Sequence, residues 1–103
     1  MDECRRHELQ EILERVINSE FVYFQPPESM VMSYPCIVYE LSGIDAAHAD
    51  NMTYLYRKCY SATIIDGDPD SEIPNRMFGL PMCKFDRFYT ADNLNHWVFL
   101  LYF

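Results

Sequence analysis

The chain contains few glycines and few basic residues, and both shortages exclude common classes of binding protein. Three glycines are too few for the glycine-rich loops that hold nucleotide phosphates. Eight Lys and Arg are outnumbered by sixteen Asp and Glu, which gives a formal net charge of −8. Direct binding to nucleic acid phosphates needs a basic patch, and this sequence has none. The acidity also disfavours binding to an anionic membrane surface.

Long apolar runs and closely spaced cysteines are also missing. No run approaches the roughly 18 apolar residues of a membrane-spanning helix, and Met1–Glu8 is too charged for a signal peptide. The cysteines Cys4, Cys36, Cys59 and Cys83 include no C-x-x-C pair, so the sequence indicates no zinc site. We expect reduced thiols in a cytoplasmic setting, with disulfides as the less favoured alternative. We also expect no metal, no cofactor and no membrane partner.

Aromatic residues, in contrast, are abundant. They make up 16% of the 103 residues, and the eight Tyr and seven Phe exceed what one small core needs. Tyr and Phe are enriched at protein interfaces, where an apolar ring contributes contact area. The length fits a single domain over residues 1–103. We therefore expect aromatic contacts between subunits, and the alternative is a Tyr-rich sheet face in water.

The hydrophobic pattern predicts an α+β fold, with an antiparallel or mixed β-sheet flanked by an N-terminal helix and a short second helix. An apolar stripe at helical spacing predicts the first helix over Asp2–Ile17. Alternating and β-branched residues predict the strands. The predicted strands, of which the first is either a strand or an extended contact, are Phe21–Phe24, Cys36–Leu41, Met52–Ile65, Met82–Thr90 and Trp97–Phe103.

Three segments are predicted to connect these elements. The proline-containing segment Gln25–Tyr34 is interpreted as a mobile arm at an interface, or as a plain connector. Ser42–Asn51 is predicted to be a loop with a helical turn over Ala46–Ala49. Ala91–Asn95 is predicted to be the turn before the last strand.

The short second helix has three predicted starting points. Asp68 followed by a proline resembles a helix start, but Pro74 would then lie in the helix interior and clash. A start at Ser71 or Ile73 avoids that clash. Gly79 is predicted to end the helix.

The sequence shows no spacing typical of a catalytic or calcium site. His96 combined with Cys59 or Cys83 would supply a thiol and a base, but nothing in their spacing supports that combination. Asp66–Asp70 has carboxylates at alternate positions, as in a calcium loop, but the required glycine and the final glutamate are missing. We interpret this acidic segment as a turn before the helix and assign no catalytic residue.

Two features near the end of the chain indicate contacts with other molecules. Phe85, Arg87 and Tyr89 are expected on one strand face. A guanidinium between two rings stacks on them or binds a carboxylate across a subunit boundary, and the alternative is an exposed strand arginine. The Trp97–Phe103 run is apolar on both faces, so it needs cover from the core or from a neighbouring subunit.

Several segments between Pro35 and Phe103 form a recognisable set. They are Pro35–Tyr39, Ala49–Asn51, Ile65–Asp66, Asp68–Pro74, Leu80–Pro81, Phe85–Arg87 and Asp92–His96. Together they resemble small tail-terminator or tail-completion proteins of long-tailed bacteriophages and prophages. The resemblance implies a structural virion protein and no enzyme. Such a protein forms a ring, commonly a hexamer, that caps the tail tube at its head-side neck, and genomic DNA passes through the centre without specific binding.

The same resemblance implies three protein partners and a place of assembly. The partners are further copies of this chain, the tail tube protein and the neck or head-completion protein, and assembly takes place in the cytoplasm of the host bacterium. The acidic charge predicts a ring lumen that repels DNA.

The residues expected to form contacts come from two regions. They are Phe85, Arg87, Tyr89, Asn93, Leu94, Asn95 and His96 near the end of the chain, and Pro26, Pro27 and Tyr34 in the loop. Three alternatives stay open. They are a head-closure or neck connector protein, a small cysteine/histidine enzyme with a depressed thiol pKa, and a monomeric protein-binding module.

Overall fold

The fold consists of five strands and two helices. The computed structural model describes residues 2–49 and 52–103, with side chains described for 6–43 and 58–103. The elements in chain order are α1 (Asp2–Ile17), β1 (Val22–Phe24), β2 (Cys36–Ala49), β3 (Met52–Asp66), α2 (Ile73–Phe78), β4 (Cys83–Ala91) and β5 (Leu94–Tyr102). The predicted α+β class, with an N-terminal helix and a short second helix, is confirmed.

The strands form one mixed sheet in the order β1-β2-β3-β5-β4. β1 pairs with β2 in parallel, and every other neighbouring pair is antiparallel. β5 lies between β3 and β4, which confirms that the apolar Trp97–Phe103 run belongs to a central strand. A neighbouring subunit is therefore not needed to pair with it. Among the described strands, β4 and the three-residue β1 form the two edges.

One face of the sheet holds the hydrophobic core. The buried sheet residues on this face are Ile37, Tyr39, Tyr60, Ala62, Ile64, Phe99 and Leu101. α1 covers them with Leu9 and Leu13, both 0% exposed, and α2 adds Met77. The apolar stripe predicted for α1 is thus its buried face. Both described helices lie on this face of the sheet.

A hydrogen-bonded tyrosine joins α1 to the sheet inside this core. Tyr39 is 0% exposed and donates its hydroxyl hydrogen to Gln10 Oε1 at 2.6 Å. Gln10 Nε2 in turn donates to the Val22 carbonyl at 3.0 Å and to Glu14 at 3.2 Å. Burial raises the pKa of Tyr39, although the nearby Arg6 guanidinium opposes the shift. The network satisfies a polar group that would be costly to bury alone.

β2 is longer than the sequence predicted. The prediction of a loop over Ser42–Asn51, with a helical turn over Ala46–Ala49, is wrong for the described part, because β2 continues to Ala49. Asp50 and Asn51 lie outside the described residues. The antiparallel ladder with β3 supplies backbone hydrogen bonds that outweigh the low strand propensity of glycine and alanine in this segment.

The outer parts of β2 and β3 form a two-stranded ribbon beyond the rest of the sheet. β1 pairs only with Ile37–Tyr39 of β2, and β5 pairs only with Cys59–Asp66 of β3. We call residues 43–49 and 52–57 the ribbon. A strand of 14 residues spans about 48 Å, which agrees with the 50 Å long axis of the molecule.

α2 begins at Ile73, the latest of its three predicted starts. Pro74 then lies in the first turn, where its missing N–H removes no helical hydrogen bond. Gly79 ends the helix as predicted, but with φ of −73°, so the end is not left-handed. Arg76 Nε donates to the Val16 carbonyl of α1 at 2.5 Å, which joins the two helix ends.

Candidate functional site

A bulge between Phe85 and Arg87 divides the edge strand β4 into two registers. Phe85 lies opposite Phe99, but Arg87 lies opposite Val98. Residues directly opposite each other in a ladder share a face, so Phe85 lies on the helix-covered face and Arg87 on the other. The prediction that Phe85, Arg87 and Tyr89 share one face is therefore wrong. The extra residue in the bulge shifts the alternation by one position.

On the helix-covered face, β4 carries exposed aromatic rings. Phe78 at the end of α2 is 59% exposed, Phe85 is 39% and Phe88 is 49% exposed. Together with half-buried Trp97, whose ring centroid is 5.4 Å from that of Phe88, they form what we call the aromatic patch. The buried ring of Phe99 packs against two of these rings, with centroid distances of 5.0 Å to Phe78 and 5.3 Å to Phe85. A contiguous exposed apolar patch of this kind indicates an interaction surface.

On the opposite face, three predicted contact residues come together. The rings of Tyr89 and His96 stack at 4.6 Å with planes 10° apart. The Arg87 guanidinium lies 5.9 Å from the Tyr89 ring centroid and 3.2 Å from the Asp86 carboxylate. Its side chain is 65% exposed, so the Asp86 pair is a weak surface contact. The Arg87 charge therefore stays accessible to a partner.

The turn between β4 and β5 is tighter than the predicted Ala91–Asn95. Asp92 and Asn93 alone form it, with φ of 53° and 63°, as in the two-residue hairpins that favour these residue types. Asn95 lies in β5 and donates its Nδ2 hydrogen to the Asp66 carbonyl at 3.1 Å. This bond fastens β5 to the end of β3, so Asn95 has an internal structural role.

Leu94 and His96 also have contacts within the chain. Leu94 is the first residue of β5, and its side chain lies beside Gly67. A Cβ atom added to that glycine would be 3.8 Å from Leu94 Cδ2, which is an ordinary van der Waals distance. The Leu94 carbonyl lies 3.2 Å from His96 Nδ1. Of the predicted contact residues in this corner, Asn93 at the exposed turn has the freest surface position.

The predicted contact residues of the loop lie at the other edge of the sheet. Pro26, Pro27 and Tyr34 follow β1, four strand spacings from β4, which corresponds to about 19 Å. Tyr34 is 46% exposed, and the nearby Met30 and Val31 are 42% and 93% exposed. One copy of the chain therefore presents two separate apolar surfaces. The function of the loop as an arm stays a prediction.

The structure does not assemble the cysteine–histidine pair. Through the strand register, Cys83 is five residues and Cys59 six residues from His96 along β5, or about 17 and 20 Å. Burial raises the pKa of the Cys83 thiol to about 11, and it raises that of Cys36 to the same value. A reactive thiol needs the opposite shift.

The acidic segment after β3 forms turns that use its own carboxylates. The Asp68 N–H donates to Asp66 Oδ1 at 3.0 Å, and the Asp70 N–H donates to Asp68 Oδ1 at 2.9 Å. Such bonds are typical of Asx turns. Among the side chains described, those of residues 6–43 and 58–103, no group of three His, Cys, Asp or Glu is placed to hold a metal ion. Neither of the two described helices has the length and hydrophobicity that a membrane span requires.

Sequence reasoning missed Phe78, Phe88 and Trp97 as members of the aromatic patch. Phe85 and Phe88 are three residues apart, so they share a face only when a bulge intervenes. The available signal was the number of aromatic residues in this part of the chain. The number of aromatic residues indicates an exposed apolar surface but does not indicate on which face of the sheet that surface lies.

Comparison with known proteins identifies no relative: no family model, no curated protein and no solved structure matches this chain. The interpretation of the site therefore depends on its geometry. In that geometry, the edge strand β4 carries exposed phenylalanine rings on one face, and on the other face Arg87 lies beside the stacked rings of Tyr89 and His96.

Proposed function

We propose that this chain is a subunit of a homo-oligomeric ring that terminates the tail tube of a long-tailed bacteriophage. In the family that the sequence resembles, the ring is commonly a hexamer. One side of the ring docks on the last ring of tube protein, and the other side receives the neck or head-completion protein. Genomic DNA passes through the centre without specific binding. The site of action is the virion.

The single observation that carries the self-assembly part of this proposal is the aromatic patch on β4. Its three exposed phenylalanine rings lie beside a strand that pairs with β5 alone among the described strands. Exposed rings beside unpaired backbone are a liability in a monomer, because such an edge aggregates or pairs with another chain. A subunit contact at this edge removes both the apolar exposure and the unpaired hydrogen-bonding groups.

A second surface supports a protein with several partners. Met30, Val31 and Tyr34 are exposed at the opposite sheet edge, about 19 Å from β4. A ring subunit needs contacts to its neighbours and a separate contact to the tube or neck protein. The loop is available for the second contact while β4 serves the first.

The charge supports the passage of DNA through the ring. The net charge of −8 repels phosphates, which agrees with a lumen that does not retain the genome. The exposed residues Asp68, Asp70 and Asp92 concentrate acidic charge at one end of the sheet. A basic inner surface in an assembled ring would contradict this part of the proposal.

Mass photometry and negative-stain imaging of the purified chain, with and without assembled tail tubes, test the proposal. We expect rings with an open centre, either free or on the tube ends. A chain that stays monomeric and does not bind tails contradicts the ring function and favours the monomeric binding module. Cryo-EM of loaded particles separates the related alternative, because a head-closure protein binds on the head side and leaves the tube end uncapped.

A further inference from the structure

The ribbon has two strand edges without a partner strand among the described strands. β1 pairs no further than Tyr39, and the pairing of β5 with β3 starts at Cys59. A two-stranded hairpin is only marginally stable in water and gains stability from a third strand. The backbone of residues 43–49 and 52–57 is therefore suited to pair with a further strand.

We propose that the ribbon of one copy pairs with the β4 edge of the next copy and continues that copy's sheet. This inference rests on the proposed ring function and names the two surfaces through which neighbouring copies meet. The contact joins two different surfaces, so each copy offers one ribbon and one β4 edge. Contacts of this kind continue from copy to copy, and they close into a ring when the rotation between neighbouring copies divides a full turn evenly.

The half of β4 after the bulge has outward-directed backbone groups that can receive a strand. Ala91 and Leu94 flank the two-residue turn, so they form a hydrogen-bonded pair of the β4–β5 ladder. Along an antiparallel ladder, hydrogen-bonded and non-hydrogen-bonded pairs alternate, and the residues of a non-hydrogen-bonded pair direct their backbone groups away from each other. Phe88 and Thr90 therefore direct their N–H and C=O groups away from β5. Arg87–Ala91 is about 17 Å long, and the six ribbon residues 52–57 are about 20 Å long. The lengths match.

The distribution of charge favours this contact over pairing between two β4 edges. The ribbon and the two residues between its strands, 43–57, include Asp45, Asp50 and Arg57, which gives this segment a formal charge of −1. β4 carries two cations and only one acid. Two β4 edges related by a two-fold axis would bring like charges together, and the assembly would stop at two copies. The net charge of residues 43–57 is opposite in sign to the net charge of +1 on β4.

The other sheet edge offers less to an incoming strand. β1 has three residues, and its Val22 carbonyl already accepts a hydrogen bond from Gln10. Among the described strands of the sheet body, β4 is thus the longer edge, and the aromatic patch lies beside it.

Two variants test the contact from its two sides. In the first, an Asn-Gly turn replaces residues 47–55, which joins Ala46 to Tyr56 and leaves the sheet body unchanged. In the second, Thr90→Pro removes one outward N–H, and Thr90→Ala is its matched control. Proline is tolerated at such a position of an edge strand. Circular dichroism and the Tm verify that each variant is folded.

Sedimentation velocity in reducing buffer measures the outcome, since it resolves the 12.3 kDa monomer from a dimer and from rings. We expect each of the two variants to weaken self-association by about tenfold or more, whereas Thr90→Ala forms rings like the unchanged chain. A mixture of the two variants retains one intact contact, made by the ribbon of the Thr90→Pro copy and the β4 edge of the shortened copy. It should therefore form a 1:1 dimer and grow no further.

Failure of this contact is distinguishable from failure of the ring function. If the unchanged chain forms rings and both folded variants also form rings, the contact is overturned and the ring function stands. Two variants that fail alone and form no mixed dimer overturn the contact as well. An unchanged chain that is monomeric alone and on tail tubes overturns the ring function and, with it, this contact.

Discussion

The ring of Phe85 on β4 packs against the ring of Phe99 on β5, with centroids 5.3 Å apart and planes inclined at 72°. Two residues later, Arg87 lies on the opposite face of the same strand. Because of the bulge between them, β4 presents phenylalanine rings on one side of the sheet and the Arg87 guanidinium, over the Tyr89 ring, on the other side.

Deletion of Asp86 should remove the bulge and move Cys83, Lys84 and Phe85 to the wrong faces. Phe85 would lose its contacts with Phe78 and Phe99, and Lys84 would turn toward the core. We expect a loss of about 2–4 kcal/mol in the free energy of unfolding, as for large-to-small changes in a core. Urea unfolding measures it. Asp86→Ala keeps the bulge and should change stability by less than about 1 kcal/mol, so equal losses would contradict the assigned role of the bulge.

Phe88→Asp should weaken self-association while the domain stays folded. Phe88 is 49% exposed, so its replacement costs mainly the ring contact with Trp97, or about 1 kcal/mol of stability. A charge in the centre of an apolar contact should weaken assembly by about tenfold or more. Sedimentation velocity compares it with Val31→Asp, the same change at the opposite edge. The patch is not the subunit contact if Phe88→Asp assembles normally.

Tyr39→Phe should destabilise the domain by about 1–3 kcal/mol, because Gln10 Oε1 loses the hydroxyl that donates to it inside the core. The ring itself and its packing on Phe24 are retained. The measurement is the urea midpoint, with Tyr34→Phe as the control at an exposed tyrosine. Unchanged stability in both variants would mean that the buried hydrogen bond makes no net contribution to the free energy of unfolding.

The buried thiols predict a loss of stability at alkaline pH. Burial raises the pKa of Cys36 from 9.0 to about 11. The native state thus keeps a proton that the unfolded chain releases, so the stabilisation is complete below pH 9 and is lost as the pH rises toward 11. Urea unfolding at several pH values measures this slope.

Cys36→Ala is the control for that experiment. The variant is less stable at every pH, but its decline above pH 9 should be shallower, since one of the groups with a raised pKa is gone and Cys83 and Tyr39 continue to contribute in the same direction. Parallel declines in the two proteins would show that Cys36 does not titrate as its burial implies. Alkylation of Cys36 and Cys83 near pH 8 should also be slow in the native protein, since burial raises the pKa of both thiols.

Patterns within single segments predicted most of the fold. The apolar stripe of α1 and the long alternation of β3 were sufficient because each element buries one face. The extension of β2 through Gly43 and Ala46–Ala49 was not predictable in this way. There, pairing with β3 determines the structure, and no local preference reveals it.

The candidate site was predictable in location and not in geometry. The predicted contact residues Arg87, Tyr89 and His96 do lie together, but the sequence had grouped Arg87 and Tyr89 with Phe85 and not with His96. The predicted face of Phe85 was wrong because the prediction assumed a regular alternation of faces along β4. The residues of the bulge show no sequence pattern that reveals it. The ribbon, likewise, follows from where β1 and β5 stop pairing, which depends on the whole sheet.

The position of β5 between β3 and β4 has a consequence for how the domain folds during synthesis. The ribosome makes β1, β2, β3 and β4 before β5, so both neighbours of β5 emerge without the strand that joins them. Until β5 arrives, β3 exposes a bare edge and the core lacks Phe99 and Leu101. The sheet of a nascent chain therefore cannot be completed until β5 has emerged, and the bare edge of β3 stays open to other strands until then.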